Sequence, residues 1–180
     1  MTRNLHVDGK PVSLSHLDAI VRKVQLELRG NIQKVVSVEF RFSCHCYSRG
    51  LVDGEVAPAG HEVPDGSVHK PRPRVFDPER YTLSLGLVAT IDALIAANGI
   101  VTKSRQENFY KVDTVDTLRD GTTVTVSYFI FMHARKVQPP GKPKFVLVIV
   151  ESAYPEQDNI PHPAGKGSRS FGSMLGEVWG

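Results

Sequence analysis

With 180 residues, 41% of them hydrophobic and 23% charged, the chain has ordinary globular proportions and enough length to bury a self-sufficient core. No apolar run approaches the length that spans a bilayer; the longest, residues 83–95, is broken by Ser84, Gly86, Thr90 and Asp92. The first residues carry no apolar signal segment, so a cytoplasmic address is expected, and a net charge of +3 permits nucleic-acid contact without requiring it.

Residues 1–12 read as an arm or short edge strand with a turn at Asp8-Gly9. A helix is predicted over 14–29. Ser13 or Ser15 caps it, Asp18 stands in its first turn, Gly30 stops it, and Leu17, Ile20, Val21, Val24 and Leu28 form one apolar stripe. Residues 35–47 follow as a strand of strict alternation. Val36, Val38, Phe40, Phe42, Cys44 and Cys46 share one face; Ser37, Glu39, Arg41, Ser43, His45 and Tyr47 share the other. On such a strand the two sulfurs point away from the His45 imidazole, and no further cysteine completes a tetrahedral set. Cys44 and Cys46 are therefore read as buried free thiols, and neither a metal nor another cofactor is expected. The polar face is either a solvated side of the sheet or a binding surface.

The connection 48–76 is long and rich in Gly and Pro, as functional flaps and mobile insertions are. A second helical region spans 77–97. Asp77 caps it, Pro78 takes the first position, a break falls near 82–84, and Asn98-Gly99 ends it. Leu83, Leu87, Ile91, Leu94 and Ile95 make its buried stripe, while Arg80 at its start points toward the sheet's edge or a ligand. Three strands come next, over 109–115, 122–135 and 144–152, with turns at Asp120-Gly121 and at the prolines of 139–143. The second half of the middle strand is apolar on both faces, as is 145–150, so these strands are central and covered on both sides. Residues 160–180 form a loosely structured tail in which Phe171, Met174, Leu175, Val178 and Trp179 dock.

The expected architecture is one α+β domain over 1–180, with a four-stranded, mostly antiparallel sheet covered by two amphipathic helices and a long loop at 48–76. Two basic clusters stand out. Residues 133–144 hold His133, Arg135, Lys136, Lys142 and Lys144 without an acid, and 69–74 hold Lys70, Arg72 and Arg74. Each is either a phosphate-binding surface or a solvated loop.

This order of elements resembles the small bacterial ribonuclease toxins of the RelE/ParE and barnase-like group. The segments FDPERYTLS, ENFYKV and VESAYP are similar to those of prophage and other mobile-element proteins. The resemblance implies metal-independent RNA cleavage, in which a 2′-hydroxyl attacks the adjacent phosphate with a base, an acid and cations in attendance. It points to His133, Arg135, His45, Arg80 and Tyr154 as catalytic candidates. Arg41, Lys70, Arg72, Arg74, Lys136, Lys142 and Lys144 are candidates for contact with RNA or a partner. The partner implied is RNA or a nucleoprotein complex, with a cognate protein as a further possibility, and no membrane. The alternative is a non-enzymatic phage or mobile-element protein that inhibits a host-defence complex, as anti-CRISPR proteins do, or binds nucleic acid. Convergence of His45, Arg80, His133, Arg135 and Tyr154 on one cleft distinguishes the two.

Overall fold

The computed structural model describes residues 4–28, 32–65, 71–104, 108–117, 121–156 and 164–180. The chain runs β1 (Asn4–Val7), β2 (Lys10–Ser13), β3 (Ile20–Leu28), β4 (Ile32–Phe42), β5 (Ser48–Gly50), β6 (Glu62–Val63) and β7 (Arg74–Phe76). Then follow α1 (Pro78–Ser84), α2 (Leu87–Ala96), β8 (Ile100–Lys103), β9 (Asn108–Thr117), β10 (Thr123–Val137), β11 (Phe145–Pro155), β12 (Ser168–Ser170) and α3 (Phe171–Trp179). Short 3-10 turns stand at Ser15–Leu17 and Cys44–Cys46.

The α+β class is as expected, but the sheet is not four-stranded. Seven strands in the order β12-β8-β9-β10-β11-β4-β3 curl into a half-barrel. All neighbours are antiparallel except β11 and β4, which run parallel, with Val146 opposite Val38 and Val150 opposite Phe42. Smaller sheets, β1-β2 and β5-β7-β6, flank it. The β1-β2 turn forms at Asp8-Gly9, where both residues take positive φ (52° and 71°), the backbone that a tight two-residue hairpin demands.

The largest correction concerns the first predicted helix, which is strand β3. Its sequence, IVRKVQLEL, also fits a two-residue period with Ile20, Val24, Leu26 and Leu28 on one face, and that period wins. Val24 and Leu26 are buried and Val21 is 57% exposed. The strand lies against β4 along its whole length, from Ile20 opposite Phe40 to Leu28 opposite Ile32. Gly30, read as a helix stop, lies outside the described residues. The two covering helices are instead α2 and α3. Leu87, Ile91 and Leu94 from one, and Phe171, Met174 and Leu175 from the other, join Leu26, Val38, Phe40, Ile130, Met132, Val146 and Val148 in one core. Phe171 stacks on Phe40 with centroids 6.3 Å apart.

The central strands follow the sequence reading closely. β10 and β11 occupy the middle of the sheet, and the opposite face of β10 buries a second cluster of Phe109, Phe129 and Phe131, against which Tyr154 packs. Helix α1 starts where predicted. The Asp77 carboxylate accepts from Arg80 N at 3.1 Å, Pro78 follows it, and Asn98 (φ 45°) ends the run after α2.

The connection after β5 is pinned by charge. Arg49 donates from Nη1 and Nη2 to the two oxygens of Glu55, at 2.7 and 2.5 Å, and Val52 N donates to the same carboxylate at 2.9 Å. Arg49 first, then the Val52 amide, draws the Glu55 carboxyl down from 4.5 to about 2. A carboxylate held this low gives its full support above pH 4.5 and loses it as pH falls through about 2. Hydrogen-exchange protection factors of residues 51–56, each taken against the intrinsic rate at the same pH, should therefore fall over that interval in the natural chain. In Glu55→Gln they should be low at both ends.

Candidate functional site

A cleft of about 480 Å³ opens where the Cys44–Cys46 turn, the β5-β7 pair, the start of α1 and the end of β11 meet. His45, Arg72, Arg74, Arg80, Ser152 and Tyr154 line it with Gly50, Leu51 and Pro73. Each side chain is there because its element ends or turns at that spot. Strand β4 stops at Phe42, and Ser43 caps the following turn, its hydroxyl accepting from His45 N at 3.1 Å. Strand β7 pairs with β5, which sets Arg74 opposite Gly50.

Arg74 is the least ordinary residue of the cleft. It is 8% exposed, donates from Nε to Ser48 Oγ at 2.8 Å and from Nη2 to the Ser48 carbonyl at 2.7 Å. The Ser48 hydroxyl in turn donates to the Cys44 carbonyl at 2.7 Å. Among the described residues no carboxylate lies within 4.0 Å of the guanidinium. Burial pulls its pKa down, the neighbouring Cys44 and Asp65 act the other way, and the like charge of Arg80 adds to the lowering. An arginine stays protonated through such a shift, so the cleft floor carries a buried cation without a full counter-charge.

Arg80 stands beside it. Its Nη1 donates to the carbonyls of His45 and Ser48 at 3.3 and 3.2 Å, and Asp77 lies 3.7 Å from Nε. Its Nε is buried with no hydrogen-bond partner among the described residues. The guanidinium sits 5.0 Å above the Tyr154 ring, which stacks on Phe131 at 5.3 Å. Cation and aromatic plane thus form one wall.

His45 Nε2 and Asp65 Oδ1 are 2.9 Å apart. The bond from His45, and to a lesser degree the Arg72 backbone N–H at 3.3 Å, lowers the Asp65 pKa against the opposing effect of burial. Asp65 is therefore ionised at neutral pH and accepts, so in the neutral ring Nε2 carries the proton and Nδ1 keeps its lone pair. The Cys44 thiol donates to the Asp65 carbonyl at 3.4 Å. Burial raises the Cys44 pKa, so its sulfur is a thiol, with Arg74 as the chief opposing influence.

The YjaZ family sequence profile matches residues 4–179. The chain belongs to the YjaZ family. No curated protein sequence and no solved structure matches it. Among the described residues of this YjaZ-family chain, no helix is long and apolar enough to cross a membrane.

Of the residues singled out from sequence, His45, Arg80, Tyr154, Arg72 and Arg74 meet in the cleft. His133 and Arg135 do not line it; both are exposed on β10, opposite Ile149 and Leu147 of β11. Arg41 is exposed and bonds Glu39 at 2.7 Å. Lys136 donates to the carbonyls of Trp179 and Gly180 at 2.9 and 3.0 Å, and Lys144 lies 4.5 Å from the Trp179 ring centroid. These two cations of the 133–144 cluster help hold the end of α3. Lys142 is exposed, and Lys70 lies outside the described residues. The polar face expected from Glu39 to Tyr47 is cut short because β4 ends at Phe42, and Tyr47 is buried in the core. The alternation that set the Cys44 and Cys46 sulfurs opposite His45 does not hold, since these three residues form a 3-10 turn. Sequence reading did not name Asp65 as a site residue. The residue that pairs with His45 comes from a loop whose path no local pattern encodes.

Proposed function

We propose that the cleft receives a phosphodiester of single-stranded RNA, and that His45, oriented by Asp65, serves there as the base of a ribonuclease. The observation that supports this reading is a buried Arg74, with no carboxylate within 4.0 Å among the described residues, lining one cleft with Arg72, Arg80, an aromatic plane and an imidazole whose Nε2 is held by a carboxylate. Phosphate oxygens suit the guanidinium groups, and a base suits the Tyr154 face. In the reaction, His45 Nδ1 takes the 2′-hydroxyl proton as that oxygen bonds to the adjacent phosphorus. The bond to the 5′-oxygen breaks, leaving a 2′,3′-cyclic phosphate, and the departing oxygen takes a proton from solvent. Arg74 and Arg80 offset the charge that gathers on the phosphoryl oxygens.

The test is incubation of purified protein with single-stranded RNA in EDTA, read by gel for cleavage and by fluorescence anisotropy for binding. Salt dependence identifies the phosphate contacts. The side chain of Arg72 is exposed, so Arg72→Ala should leave thermal stability unchanged while the slope of log K against log salt becomes shallower by about 0.7. An unchanged slope would remove Arg72 from the RNA path.

One observation favours a second reading, a non-enzymatic mobile-element protein that holds nucleic acid. His45 is the only imidazole among the described residues lining the cleft, so no second histidine stands ready as the acid. RNA binding without cleavage in the same experiment would select this reading.

A further inference from the structure

We propose that Cys44, His45 and Asp65 form a site for a divalent transition-metal ion of the zinc class. The 3-10 turn makes the site possible. On a strand, adjacent side chains point to opposite faces. In a 3-10 turn they are separated by about a third of a revolution, so Cys44 and His45 can address one point in space. The loop after β6 then delivers Asp65 to that point. One ligand atom from each residue lies within 4.8 Å of the others. Sulfur with imidazole and carboxylate is a donor set for zinc and its neighbours rather than for magnesium or calcium, which take oxygen alone. With three protein ligands, a fourth position is left for water or a ligand from the cleft that His45 lines.

Charge agrees with this assignment. The Asp65 carboxylate already accepts from His45 Nε2 at 2.9 Å and from the Arg72 amide at 3.3 Å. Loading exchanges the Cys44 proton for the ion: a sulfur–metal bond forms, the S–H bond breaks, and one proton leaves to solvent. A dication with one thiolate, one carboxylate and one neutral imidazole carries no net charge, so Arg74 and Arg80 do not oppose it.

Cobalt(II) is the probe, added to EDTA-stripped, desalted full-length protein. A near-ultraviolet sulfur-to-cobalt charge-transfer band and tetrahedral visible bands should grow to one equivalent, with about one proton released per ion in weakly buffered solution. Zinc should bleach both. Cys44→Ser should lose the charge-transfer band, while Cys46→Ser, whose sulfur lies 3.8 Å from the Val150 carbonyl instead, should keep it. Asp65→Asn should weaken cobalt binding at least tenfold, with its fold checked by circular dichroism. Absence of the band from the folded natural chain overturns the site, and so does its survival in Cys44→Ser. None of these readouts depends on RNA. If the ribonuclease reading also holds, zinc added to the EDTA-treated enzyme suppresses cleavage, because the ion occupies the His45–Asp65 pair. Failure of cleavage alone leaves the cobalt result standing.

Discussion

A His45→Gln variant should lose RNA cleavage by roughly 10²–10⁴-fold, the usual contribution of a positioned general base, with RNA affinity nearly unchanged. Glutamine retains the side chain's reach and its capacity to donate to Asp65, but it cannot take a proton from a 2′-hydroxyl. The phosphate contacts assigned to Arg72, Arg74 and Arg80 do not pass through the imidazole, so a charged oligonucleotide should still bind. In kinetic terms, turnover falls while KM stays close to that of the natural chain. Asp65→Asn offers a second measurement. Asparagine can donate an amide hydrogen to Nε2 and favour the tautomer whose Nδ1 carries the proton, which removes the basic nitrogen without removing the ring. Its expected signature is again reduced turnover with binding retained. His133→Ala combined with Arg135→Ala, on the exposed stretch of β10 outside the cleft, should cleave as the natural chain does. If that pair lost activity and His45→Gln did not, the base would belong to β10 and the cleft would be a binding site alone.

What could be read in advance depended on whether a feature was local. The 109–152 region was legible because alternation, an apolar middle on both faces, and proline-bearing turns all point the same way. β9, β10 and β11 appear within two or three residues of their expected bounds. The start of α1 was legible for the same reason, since Asp77 and Pro78 act within one turn. The number of strands was not. β8 and β12 have four and three residues, too few to show a period, and the parallel pairing of β11 with β4 joins residues about a hundred positions apart. At the site, His45, Arg80 and Tyr154 drew notice by side-chain chemistry and meet because a turn, a helix start and a strand end converge. His133 and Arg135 drew notice by the same chemistry and do not join them. Charge identifies a candidate, but the face of a strand and the end of the sheet on which it lies decide its neighbours. Asp65 shows the converse: a residue with no local mark, brought into contact with Cys44 and His45 by the course of a long loop.

Leu26→Ala should destabilise the protein by about 2–5 kcal/mol, whereas Val21→Ala should change stability by no more than about 0.5 kcal/mol. Leu26 is 0% exposed, on the face of β3 that joins the core, and truncating it leaves a cavity beneath α3 as well as removing buried apolar area. Val21 lies on the opposite face of the same strand, 57% exposed. The helical reading reverses the order, because its apolar stripe runs through Leu17, Ile20, Val21, Val24 and Leu28 and leaves Leu26 on the solvent side. Urea midpoints of the two variants therefore separate the periods directly. They also bear on the sheet as a whole, since β3 is its last strand and covers the flank of β4 through nine paired positions. Should Val21→Ala prove the costlier change, β4 would lose that neighbour and become the sheet's margin. The seven-stranded half-barrel would then give way to a shorter sheet under a third helix.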